Sequence, residues 1–215
     1  MYKLVIFDLD GTLLNTITDL AAAGNHTLTQ MGKPTHTEEE YKLFVGNGIP
    51  KLIERMLPAG HSPEEEAQAL EIFSEYYGRH KSDFTKPYDG LPELVEKLGA
   101  RGVVCVCNTN KAHEFSEGLI KAAYGDGIRE VMGAGIGYPT KPAPDAALEF
   151  IRKYGADKRE TLYVGDSSVD MMTAANAGID GCAVLWGFRS RKELSACKPA
   201  HIAENVRQLE EIILG

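Results

Sequence analysis

The pattern of apolar and polar positions changes character twice along the chain. Lys3 to Phe7 reads as a buried strand. A block from about residue 16 to residue 84 follows, and its spacing is almost wholly helical, in about four pieces. "TITDLAAAGNHTLTQMG" predicts a helix from about Thr16, with Leu20, Ala23, Leu28 and Met31 on one apolar face. Thr37-Glu38-Glu39-Glu40 has capping-box spacing, and Ser62-Pro63-Glu64-Glu65 joins a cap residue, a proline at the first helical position and early acidic charge. From Pro87 short β-rich runs alternate with helical runs. "GVVCVCN", "IREVMGAGI", "TLYVG", "GCAVLW" and "AHIAE" read as strands; "LPELVEKLGA", "AHEFSEGLIKAA", "APDAALEFIRKYG", "SVDMMTAANAG" and "NVRQLEEIILG" read as helices.

That alternation predicts an α/β fold, a Rossmann-like, doubly wound parallel sheet covered on both faces. The first strand joins this sheet by its apolar character. The expected organisation is therefore a core from residues 1–15 and 85–215, with a helical insert at 16–84. Composition changes little here: 43% hydrophobic and 25% charged residues describe an ordinary globular chain. The net charge of −8 argues against nucleic-acid or anionic-membrane partners. No apolar run approaches a membrane span and the amino terminus has no signal-peptide pattern, so the expected compartment is the cytoplasm. Cys105, Cys107, Cys182 and Cys197 are scattered, as free thiols are, and the "CVC" pair is expected to face one side of a strand for packing.

Ligands of open parallel sheets bind beyond the carboxyl ends of the strands. Asp8, Asp10, Gly11 and Thr12 follow the first strand, and Asn108, Thr109, Asn110 and Lys111 follow the second. Lys141-Pro142 comes after the third, and Asp166, Ser167 and Asp170 come after the fourth. Carboxylates gathered from those ends repel one another and require a cation, and hard oxygen ligands suit Mg2+. A lysine, a threonine hydroxyl and strand-end amides beside that cation complement a phosphoryl group. One carboxylate could then attack phosphorus while another handles protons.

Asp8-Leu9-Asp10-Gly11-Thr12, Thr109 after a strand, Lys141 before a helix and Gly165-Asp166-Ser167-Ser168-Val169-Asp170 resemble the four motifs of the haloacid dehalogenase (HAD) superfamily. The helical insert resembles that superfamily's type-one cap. The resemblance implies that Asp8 is the nucleophile and Asp10 the general acid and then base. It further implies that Thr109, Asn110 and Lys141 bind the phosphate, and that Asp8, the Asp10 carbonyl and Asp166 bind Mg2+ with Asp170 supporting them. Asp10 speaks against a dehalogenase proper. "TDLAAAGNHTL", "FVGNGIPKLIERML", "PYDGLPELVEKL", "NTNK" and "LWGFRSRKEL" are similar to the phosphoglycolate phosphatase group, which implies a small phosphorylated metabolite as substrate; the expected assembly is a monomer or homodimer. Inorganic pyrophosphatases and β-phosphoglucomutases share much of this pattern, and a non-catalytic phospho-ligand sensor is the contrasting class. Asn15 stands where many relatives carry an acid.

Substrate choice is expected to lie in the helical insert. Gly46-Asn47-Gly48 forms a glycine-flanked turn able to approach the phosphate site. Lys51 and Arg55, at i and i+4, share a helix face and are candidates for a substrate carboxylate. Arg189 is a further candidate, or alternatively a partner in a junction ion pair. Lys111 is expected either to position Asp170 or to lie in water. Thr109 is expected to bind phosphate, cap the following helix, or both. "GAGIG" at 133–137 is read as a flexible connection, since its glycines lack dinucleotide-loop spacing.

Overall fold

A computed structural model describes all 215 residues. Six parallel strands form the sheet: β1 (Leu4–Phe7), β4 (Val104–Ala112), β5 (Val131–Ala134), β6 (Thr161–Gly165), β7 (Asp180–Val184) and β8 (His201–Ala203), in the order β5-β4-β1-β6-β7-β8. β1 lies in the middle, pairing Phe7 with Cys107 on one side and with Val164 on the other. Its four residues are all buried, yet they serve two cores. Val5 and Phe7 face one cluster with α5 (Leu91–Ala100), α6 (His113–Tyr124) and α10 (Val206–Leu214). Leu4 and Ile6 face the other with α7 (Asp145–Tyr154) and α8 (Ser168–Ala177). The strand period of two thus turns one uninterrupted apolar run into the seam between two helical layers. Cys105 and Cys107 both enter the first cluster, and all four cysteines are free thiols.

The insert contains α1 (Ile17–Gln30), α2 (Glu38–Phe44), α3 (Ile49–Met56) and α4 (Pro63–His80). Both capping boxes form: Thr37 exchanges bonds with Glu40, and Ser62 with Glu65. These helices bury their own cluster, centred on Leu20, Leu28, Tyr41, Phe73 and Tyr77. Phe115 of α6 and Phe188 pack against it from the sheet side. At the two crossings the chain forms a short antiparallel ribbon, β2 (Leu14–Asn15) with β3 (Lys86–Pro87). The buried Asp19 carboxylate secures the return, accepting from the Phe84 amide at 3.0 Å and the Thr85 amide at 2.8 Å. None of the helices is long and apolar enough to cross a membrane.

The structure departs from the expected pattern in three places. β4 does not stop at Asn108 but continues through "TNKA", pairing Ala112 with Ala134 beyond an irregularity in its ladder. Those polar residues look like loop in the sequence because Asn110 and Lys111 bond to Gly46, Lys141 and Asp10 instead of packing in the core. Thr109 consequently lies within a strand and does not cap α6, whose cap position is Ala112 without a side-chain bond. The ribbon and the six-residue α9 (Arg191–Ala196) are too short to show a period; Ser190 caps α9 by accepting from the Glu193 amide, and only Leu194 in it is buried.

Candidate active site

Register explains the assembly of the site. With Phe7 level with Cys107 and Val164, Asp8 just past β1, Asp166 just past β6 and residues 109–111 in the extension of β4 emerge together. The Asp8 amide donates to the Val164 carbonyl at 2.9 Å, and its Oδ1 accepts from the Leu9 amide at 2.6 Å. Asp166 leaves β6, and Asp170 sits one turn into α8, where it completes a capping box with Ser167. Gly165 makes this closeness possible, since a Cβ there would lie 2.3 Å from the Asp170 side chain.

Carboxylate oxygens of Asp8, Asp166 and Asp170 lie within 4.8 Å of one another, and all three residues are buried. Burial is the largest influence on Asp8, pushing its carboxyl up to about 8; the Asp170 charge adds to this and Lys141 opposes it. Asp166 is pushed up to about 7, again by burial first and Asp170 second, with the Phe188 amide pulling the other way at 2.6 Å. Lys141 Nζ lies 2.7 Å from both Asp8 Oδ1 and Asp170 Oδ1. Burial works against its charge, but Asp170 and Asp8 outweigh that and hold the ammonium well above its usual range. One ammonium among three buried carboxylates leaves negative charge unmatched, so the donor set fits a further hard cation such as Mg2+.

Asp10 has different surroundings. Its Oδ1 accepts from Thr16 Oγ1 at 2.7 Å and from Lys111 Nζ at 3.0 Å. Lys111 therefore neither positions Asp170, which Lys141 does, nor lies in water, since its side chain is 1% exposed. Its ammonium stands 4.7 Å from the centre of the Tyr77 ring, supplied by α4. Burial again opposes its charge, and the Asp10 carboxylate more than offsets that, raising its pKa.

Thr109 is buried in the cleft floor; its Oγ1 accepts from the Lys111 amide at 3.2 Å, leaving the hydroxyl hydrogen free to donate. The Asn110 side chain has another task. Its Oδ1 accepts from the Lys141 amide at 2.8 Å, and its Nδ2 donates to the Lys141 and Gly46 carbonyls, both at 3.1 Å. Both amide hydrogens are thus engaged in tying the insert's glycine loop to the strand ends, not in facing a phosphate. That loop does reach the site: Gly46 and Gly48 line the cleft with Leu20, Val45, Ile49, Leu52, Asp8, Asp10, Thr109, Asn110 and Lys111. Gly48, at φ +84°, would bring a Cβ within 3.1 Å of the Asn110 carbonyl.

The three cations expected to choose the substrate are placed elsewhere. Lys51 pairs with Glu54 at 2.5 Å on an exposed face. Arg55 donates to the Phe44 carbonyl and to Asn47 Oδ1, each at 2.8 Å. Arg189 donates to the Lys42 carbonyl and, at 2.7 Å, to the Val45 carbonyl, tying the end of α2 to the segment after β7. Side-chain spacing along a helix shows which residues share a face but not which way that face turns.

A family model described as haloacid dehalogenase-like hydrolase matches residues 5–184, and the chain belongs to that family. Among curated relatives, the phosphoglycolate phosphatase of Pseudomonas syringae pv. syringae is 36% identical over 96% of this chain and 78% of its own length. That of Vibrio parahaemolyticus is 31% identical over 98% of this chain and 96% of its own. A solved structure from Lactobacillus delbrueckii subsp. bulgaricus superposes with a TM-score of 0.94 at 31% identity, covering 100% of this chain and 99% of that one.

Proposed function

We propose that the chain is a phosphoric monoester hydrolase, a Mg2+-dependent phosphatase of small metabolites with 2-phosphoglycolate as its preferred substrate. The reading divides the chain into a sheet core at 1–15 and 85–215 and a cap at 16–84. The observation that carries the chemistry is the different environment of two acids one residue apart. Asp8 faces Lys141 and the buried carboxylates, while Asp10 has one oxygen bound by Thr16 and Lys111 and its other oxygen left for a proton. The substrate is carried by likeness to the phosphoglycolate phosphatases of Pseudomonas and Vibrio species.

In this mechanism an Asp8 oxygen attacks phosphorus as the ester oxygen leaves, and Asp10 protonates that oxygen. Asp10 then takes a proton from the water that hydrolyses the aspartyl phosphate, returning Asp8 to its carboxylate. Lys141 and the Thr109 hydroxyl hold phosphoryl oxygens and stabilise charge developing on them. Asp8, the Asp10 carbonyl and Asp166 would hold Mg2+, with Asp170 behind them; when bound, the ion offsets repulsion between nucleophile and phosphate. On the cap side the cleft is lined by Leu20, Val45, Ile49 and Leu52, an apolar surface that would limit water beside the reacting groups. In this reading the cap closes over bound substrate and opens to release products. That lining also disfavours a hexose phosphate mutase, because Leu20, Val45, Ile49 and Leu52 offer a sugar no side-chain hydrogen bonds.

The test is Mg2+-dependent phosphate release from a panel containing 2-phosphoglycolate, pyrophosphate, β-glucose 1-phosphate and nucleoside monophosphates. The highest kcat/KM is expected for 2-phosphoglycolate. A lead for pyrophosphate replaces the substrate and keeps the mechanism; no release from any compound overturns the reading.

A further inference from the structure

Lys111 is the unexplained charge in the cleft. A buried ammonium normally gathers several acceptors, as Lys141 does with Asp8 and Asp170. Lys111 Nζ makes one hydrogen bond, to Asp10 Oδ1, although it carries three N–H groups. The Tyr77 ring lies over one side of it, and the buried Tyr77 hydroxyl, itself without a hydrogen bond, stands near enough to support its charge but brings no negative charge of its own. Lys111 nevertheless lines the cleft, 3% exposed as a residue. The insert contributes only apolar side chains and glycine backbone to the same lining. Lys51, Arg55 and Arg189, the cations read as substrate anchors, are engaged with Glu54, Asn47 and Glu193 and with backbone carbonyls.

We propose that Lys111 is the residue that reads the organic half of the substrate, binding a carboxylate carried one carbon from the ester oxygen. The proposal rests on the phosphatase reading above and assigns its substrate class, the 2-phosphoxy carboxylates. Lys111 Nζ is 3.0 Å from the acid placed to protonate the leaving oxygen. An anionic group held by its spare donors must therefore lie next to that oxygen. A carboxylate on the adjacent carbon meets this condition, whereas the distant anionic group of a longer substrate does not. In a cleft closed by Leu20, Ile49 and Leu52, no other free cation competes for the carboxylate. Lys111 thus acts on strand β4, rigid and beside the chemistry, where a cap residue would have to be delivered by closure.

The experiment compares 2-phosphoglycolate with 2-phosphoglycolamide, in which a neutral amide of nearly the same shape replaces the carboxylate. Phosphate release with Mg2+ is measured for the wild type and for Lys111→Met. The amide makes the better leaving group, so a preference for the carboxylate cannot come from leaving-group ability. The expected wild-type preference is about 10- to 150-fold in kcat/KM, the range of a charge-assisted hydrogen bond. In Lys111→Met the ratio should fall to near one, chiefly through loss of 2-phosphoglycolate activity. Equal hydrolysis of both esters by the wild type overturns this proposal and leaves the phosphatase reading standing. An equal fall for both esters in Lys111→Met also overturns it, leaving Lys111 as a support for Asp10 alone. No hydrolysis of either ester overturns both. If Lys111→Met does not fold, wild-type inhibition decides: glycolate should inhibit at least about 10-fold more strongly than glycolamide, and equal inhibition refutes the assignment.

Discussion

Replacing Lys141 with methionine isolates the electrostatics of the site from its catalysis. The substitution keeps most of the side-chain volume and removes the ammonium that lies 2.7 Å from both Asp8 and Asp170. Those carboxylates are 8% and 0% exposed, so water cannot take the place of the lost partner. Removing one member of a buried ion pair destabilises a fold by about 3–5 kcal/mol. For a chain of this size the melting temperature should fall by roughly 6–20 °C. The loss should also depend on pH. Asp8 titrates near 8 even with Lys141 opposing its burial, far above an unfolded aspartic acid, so its folded form prefers the proton. Stability linked to that proton is present at low pH and is lost as pH rises through the folded pKa. Without Lys141 the Asp8 pKa rises further, so wild type and variant diverge above about pH 8. Urea unfolding in EDTA at pH 6 and pH 9 tests this, with the larger difference expected at pH 9. A difference below about 1 kcal/mol at both values, or a larger one at pH 6, would refute the buried-pair argument.

Asp8→Asn should retain the wild-type melting temperature within a few degrees while lowering kcat at least about 1,000-fold; near-wild-type turnover would remove Asp8 as nucleophile. Mg2+ should stabilise the metal-free protein by about 2.7 kcal/mol at one hundred times its Kd. Calorimetry should find tighter binding at pH 8 than at pH 5, because protons on Asp8 and Asp166, which titrate near 8 and 7, compete with the ion; equal affinity at both values contradicts the placement. Gly48→Ala and Gly32→Ala separate backbone strain from site geometry. Both have positive φ, +84° and +64°; Gly32→Ala should lose roughly 1–2 kcal/mol, and Gly48→Ala, whose ψ of 168° puts it in a region nearly reserved for glycine, roughly 1–3 kcal/mol. Only Gly48, close to the Asn110 carbonyl, should also lower kcat/KM, and an equal effect on activity from both would disconnect the loop from the cleft.

The sheet and its helices were legible because each had a clear period and a clear stop. "TLYVG" is β6 to the residue, and the two capping boxes mark the starts of α2 and α4. The acids that cluster, Asp8, Asp166 and Asp170, were legible as a group because they follow the ends of two neighbouring parallel strands, β1 and β6. The hidden parts were those in which one residue's role depends on a distant partner. Asn110 looks like a phosphate ligand until its amide is found holding Lys141 and Gly46. Arg189 resembles a substrate anchor until it is seen on the carbonyls of Lys42 and Val45.

By itself the sequence determined the alternation of strands and helices, the position of the helical insert and the placement of acids just past β1 and β6. These follow from local rules: the period of a strand or helix, and the side chains that can end one. Tertiary structure decided which cation serves which acid. Lys141 goes to Asp8 and Asp170, Lys111 goes to Asp10, and no cation of the cap lines the cleft. A long charged side chain has no preferred partner along the chain. Packing decides whether it is buried, and only burial makes the choice of partner energetically large.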